Sequence, residues 1–131
     1  SRFTRLDMKS VDALLDRRYD PRSYHCVHFL IEAAQYLFNK DYSASFLGLT
    51  GDLAKSIQTS RDTTIKNKRL EKPIEGCIVL MTNLLNSSHV GLFYCGRVLH
   101  LSENGVYFQE LRSLERNYSR FRFYEASYLS Q

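Results

Sequence analysis

Residues 86–105 constrain this chain more than any other stretch: Asn-Ser-Ser-His-Val-Gly-Leu-Phe-Tyr-Cys-Gly-Arg-Val-Leu-His-Leu-Ser-Glu-Asn-Gly. His89 to Tyr94 is rich in β-formers, Cys95-Gly96 supplies a two-residue turn, and Arg97 to Leu101 returns as the second arm of a hairpin. With Cys95 and Gly96 as the loop, Tyr94 pairs with Arg97 and Gly91 with His100. Alternation then puts His89, Gly91, Phe93, Val98, His100 and Ser102 on one face. The other face carries Val90, Leu92, Tyr94, Arg97, Leu99 and Leu101. His89 and His100 become diagonal neighbours, roughly 7 Å or somewhat less apart between Cβ atoms. Gly91 leaves the space between them open. A slip of one residue would put the two imidazoles on opposite faces, so the register decides whether they meet.

At 131 residues the chain is expected to form a single domain, 1–131, with a core over about 19–125. No apolar run is long enough to span a membrane, and the opening Ser-Arg-Phe-Thr-Arg-Leu-Asp lacks the apolar stretch of a signal peptide. The net charge of +4 weakly favours anionic surroundings such as a cell-wall polymer, nucleic acid or an acidic partner. The three cysteines, Cys26, Cys77 and Cys95, are odd in number and far apart. With no C-x-x-C pair, neither a zinc knuckle nor a disulfide scaffold is indicated.

Ahead of the hairpin the spacing predicts a helix over 7–18, with Asp7 or Ser10 as cap and Met8, Val11 and Leu15 on one face. A second helix is expected over about 22–38, with Cys26, Leu30, Ala33, Ala34 and Leu37 on one stripe. A short helix is expected around 50–58. A polar, basic loop or β-excursion follows, holding Lys66, Lys68, Arg69 and Lys72. No aromatics interleave with these charges, so a nucleic-acid groove is not expected. Cys77 to Thr82 reads as a buried strand. Val106–Leu111 and Phe121–Glu125 read as further strands around a turn or short helix at 112–118. Helices first and an antiparallel meander after them make an α+β fold.

Cys26 falls near a helix N-terminus, where unpaired N–H groups and the helix dipole favour a thiolate. A buried, unpaired cysteine can equally serve as a small hydrophobe. Joined to the hairpin, Cys26 suggests a nucleophile, His89 its base and His100 the group that orients that base. The Cys26 N–H is then a natural oxyanion donor. A resemblance to a related Cys-His amidase family, which places Glu or Asn third, would imply Glu103 or Asn104 in that place instead, although Glu103 points to the face opposite His89 in this register.

Tyr24-His25-Cys26, a following helix, Pro73-x-x-Gly76 before an apolar strand, His89-Val90-Gly91-Leu92-Phe93, a Gly turn, and Val98-Leu99-His100 before Ser102-Glu103-Asn104-Gly105-Val106 together resemble the NlpC-type cell-wall cysteine peptidases. The resemblance implies a papain-like core, with N-terminal helices packed on an antiparallel sheet and the nucleophile at a helix N-terminus. It implies hydrolysis of peptidoglycan stem peptides, typically at the D-γ-glutamyl–diamino acid bond, with no cofactor. Cys26, His89 and His100 would be catalytic, and Tyr24 would line the substrate site. His25-Cys26-Val27-His28 departs from the family's Asp-Cys-Ser-Gly, which bears on substrate fit, and His25 and His28 are expected on the helix surface or rim. The short chain resembles phage tail-associated members, and an effector injected between bacteria is the other option. Either implies a protein made in the bacterial cytoplasm, with tail or secretion-system proteins as partners, and carried on a virion or delivered to the periplasm. Three other readings use the same residues. The first is an acyltransferase or deamidase working through the same thioester, and the second a degenerate structural component. The third is a metal site at Cys26, His89 and His100, for which no tight ligand spacing speaks.

Overall fold

A computed structural model describes residues 9–46, 67–85 and 87–126. One long helix, α1 (Cys26–Phe38), packs on a six-stranded antiparallel sheet. The strands are β1 (Arg69–Leu70), β2 (Ile78–Asn83), β3 (Ser88–Tyr94), β4 (Arg97–Ser102), β5 (Gly105–Gln109) and β6 (Tyr118–Tyr124), in the spatial order β1-β6-β2-β3-β4-β5. The α+β expectation therefore holds. The meander runs only from β2 to β5. A one-turn helix, α2 (Leu111–Leu114), then carries the chain back so that β6 pairs with β2 rather than with β5. Among the described residues no helix is long and apolar enough to cross a membrane.

The expected pair of N-terminal helices is not formed. Between residues 9 and 18 the chain makes only a 3-10 turn at Asp12–Leu14. A helix this short needs an apolar stripe to hold it. Here Val11 and Leu14 are buried but Leu15 is 46% exposed. Ser10 Oγ accepts the Asp12 N–H, and Arg17 leaves its own segment to bind Glu32 of α1 at 2.9 Å. The second helix starts later than expected for an equally local reason. Asp20 Oδ1 accepts the N–H groups of Arg22 and Ser23, closing a turn after Pro21, so helical geometry begins only at Cys26. The expected helix at 50–58, and Lys66, lie outside the described residues.

The two faces of the sheet have separate cores. Toward α1, Phe29, Leu30, Ala33 and Ala34 pack on Ile78, Leu80, Val90, Leu92, Leu99 and Leu101. On the opposite face, Val79, Met81 and Val98 pack with Cys77 and with Leu114 of α2. β2 reads as a continuous apolar run because it is covered on both sides. The β3–β4 register pairs Tyr94 with Arg97 and Leu92 with Leu99, as the hairpin reading requires. Cys95 and Gly96 have φ of 51° and 78°, the paired left-handed conformations of a type I′ turn.

Candidate active site

The first consequence of the register is direct. His89 Nε2 lies 2.9 Å from His100 Nδ1, with the rings edge to face and their centroids 5.0 Å apart. Gly91 makes the approach possible. A Cβ there would stand 2.5 Å from Val98 Cγ1 and 3.2 Å from His100 Cβ. Two aromatic side chains brace the pair: Tyr118 stacks on His89 at 6.0 Å, and Tyr107 stacks on His100 at 5.8 Å. Beyond His100, its Nε2 faces Gln109 Oε1 at 3.4 Å.

Cys26 is the first residue of α1, and His25 is its N-cap. His25 Nδ1 accepts the Val27 N–H at 3.4 Å, while His28 Nδ1 accepts the His25 N–H at 3.2 Å. His25 is therefore not a surface or rim residue. It is 1% exposed, because a reciprocal cap needs its ring folded back over the helix end. Its Nε2 is buried with no hydrogen-bond partner among the described residues. His28 is half-buried.

The Cys26 sulfur approaches β3 from the α1 side of the sheet, where the backbone N–H of Val90 interacts with it favourably, as do those of Val27 and of Cys26 itself. His89 and His100 lie on the opposite face of the hairpin from Val90. Cys26 and the histidine pair thus converge on the N-terminal end of β3 from its two sides. A cavity of about 370 Å³ opens at that end, lined by His89, Tyr118, Tyr19, Ser88, Glu103 and Asn104 among others.

Burial sets the protonation states. It pushes the Cys26 thiol up to about 11, outweighing the backbone N–H groups that pull it back. It lowers His89 to about 3, with His100 and His25 adding like-charge repulsion, and His100 to about 4. At rest Cys26 is a neutral thiol and His89 and His100 are neutral imidazoles, so the thiolate that the helix end alone favours is not the resting form. Desolvation of a fully enclosed sulfur costs more than the helix terminus returns.

The sequence-predicted residues divide accordingly. His89 and His100 are in direct contact, and Cys26 reaches the same end of β3. Glu103 and Asn104 sit exposed on the cavity rim, in the β4–β5 turn. Tyr24 does not line this cavity. Its hydroxyl donates to Glu32 beside Arg17, and its ring meets Phe29 edge-on. Three residues escaped the sequence reading: Gln109, Tyr118 and Tyr19. Gln109 was within reach, because the Glu103-Asn104 turn fixes a register that pairs it with Val98, on the His100 face. Tyr118 required knowing that β6 returns to β2, and Tyr19 has no periodic signal. Among the described residues no group of three or more His, Cys, Asp or Glu is arranged to hold a metal ion. No protein-family model matches the chain, and no curated protein is significantly similar to it in sequence.

Proposed function

We propose that this protein is a papain-like cysteine peptidase of the NlpC type, acting on peptidoglycan stem peptides at the D-γ-glutamyl–diamino acid bond. The observation that carries the reading is the 2.9 Å contact of His89 Nε2 with His100 Nδ1, at the end of β3 that Cys26 reaches from the start of α1. His89 spends Nε2 on His100, which leaves Nδ1 as the nitrogen available to a thiol.

In this reading the Cys26 proton moves to His89 Nδ1 as the sulfur attacks the substrate amide carbon. The oxyanion is held by the Cys26 N–H, which no helical carbonyl uses. Collapse breaks the C–N bond, and His89 returns its proton to the leaving amine. Water, deprotonated by His89, then hydrolyses the thioester. A neutral resting pair suits this sequence, since charge separates only when the substrate is present to stabilise it. Delivery on a phage tail or as an injected effector, with the tail or secretion proteins as partners, is part of the same proposal.

The test is mass spectrometry of diaminopimelate-type muropeptides after incubation with the wild type and with Cys26→Ala. Cleaved stem peptides are expected with the wild type alone, and the fragment mass names the bond. Cleavage by both would remove Cys26 from the nucleophile's role. The buried, protonated sulfur favours one second reading, a catalytically degenerate component of a tail or secretion apparatus, which predicts cleavage by neither. Adding amine acceptors to the same incubation separates hydrolysis from acyl transfer or deamidation through the same thioester.

A further inference from the structure

The hydrogen bonds beyond His100 bear on which nitrogen of His89 is free. The structure turns the Gln109 amide so that Oε1 lies 3.4 Å from His100 Nε2; with that oxygen as the acceptor, the proton of His100 sits on Nε2. A neutral imidazole has one N–H, so His100 Nδ1 must be an acceptor. It faces His89 Nε2 at 2.9 Å, so His89 Nε2 must donate. His89 then has its proton on Nε2 and a bare lone pair on Nδ1. That is the one tautomer in which it can take a proton from a thiol.

The reverse arrangement is self-consistent and inert. If Gln109 presented its NH2 group, His100 Nε2 would accept and its Nδ1–H would donate to His89. His89 would then carry its proton on Nδ1 and could accept nothing there. The hydrogen-bonded chain from Gln109 to His89 therefore has two states, and only one is competent. The position of Gln109 suits a selector. It pairs with Val98 in the β4–β5 ladder, so it shares a face with His100, and it is half-buried at the rim of a separate polar cavity with Arg112, Ser113, Arg116 and Asn117.

We propose that Gln109 is a positioning residue that, through His100, holds His89 in the tautomer able to act as a base. The proposal rests on the reading of Cys26, His89 and His100 as a catalytic set for its functional meaning, but its physical content can be measured without substrate. In 15N-labelled protein, two-bond 15N–1H spectra of the imidazoles report the tautomer of each histidine. The wild type is expected to show Nε2–H at both His89 and His100. Gln109→Glu, which keeps an acceptor in place, should preserve both. Gln109→Leu, which has neither donor nor acceptor, should populate Nδ1–H at His89. It should also lower kcat for muropeptide cleavage about tenfold or more with KM little changed, while Gln109→Glu restores kcat. Nδ1–H at His89 in the wild type, or unchanged tautomers in folded Gln109→Leu, would overturn the proposal. If the tautomers behave as expected but no muropeptide is cut, the proposed substrate fails and the role of Gln109 stands.

Discussion

Gly91 shows how much one missing methyl group can decide. Its position against Val98 and His100 is too close for any Cβ, with 2.5 Å to Val98 Cγ1. Gly91→Ala should therefore cost about 1–3 kcal/mol by overpacking, read as a lower urea midpoint. The clash is with Val98 first and His100 second, so Gly91→Ala combined with Val98→Ala should be less destabilised than the sum of the two single changes. Additive losses in that cycle would mean that the contact is not the cause. Cys26 is a second case at this scale. Its place at a helix start was legible in the apolar stripe of α1, but its protonation was not. Enclosure by the core depends on residues far away in sequence, Val90 among them, and no local pattern reports it.

At the scale of elements, the hairpin carries the site. Its register was readable because a two-residue turn and an alternating pattern leave only one pairing. β5 followed from the next turn, although its last residue, Gln109, went unremarked. The N-terminal segment was misread because helical spacing was present without the burial that would use it: Leu15 faces solvent and Arg17 is drawn to Glu32. β6 was readable as a strand but not as a partner of β2, since pairing order is a tertiary choice that local alternation does not encode. The turn itself offers a prediction. Cys95 has a φ of 51°, which Asn tolerates better than a residue with an ordinary Cβ. Cys95→Asn should raise stability by about 0.5–1 kcal/mol in urea unfolding, leaving the His89–His100 contact intact. A loss of stability would show that the thiol, rather than the backbone of residue 95, matters to the turn.

For the molecule as a whole, the histidines link folding to acidity. His25, His89 and His100 are held by burial at about 4, 3 and 4 respectively, against an ordinary value of 6.5. The unfolded chain therefore binds protons that the folded chain refuses over that interval. Each such group contributes fully above pH 6.5, and its contribution is lost as pH falls toward the folded value, by about 1.4 kcal/mol per pH unit. Urea midpoints should drop steeply between pH 6.5 and 4.5, and His100→Asn should remove part of that slope. A flat profile would mean that the rings are hydrated. The protonated, enclosed sulfur of Cys26 has a consequence of another kind. Peroxide and oxygen-derived oxidants react with thiolates at accessible sites, so the buried sulfur of Cys26, neutral at rest, is expected to oxidise slowly in air. Cys95 is exposed at the opposite end of β3; burial and the Glu75 carboxylate raise its thiol as well, so exposure alone makes it the first expected target, as sulfenic acid or as a bridge between two molecules. The expectation is a protein whose surface thiol oxidises in an oxidising medium while the sulfur at the head of α1 stays reduced.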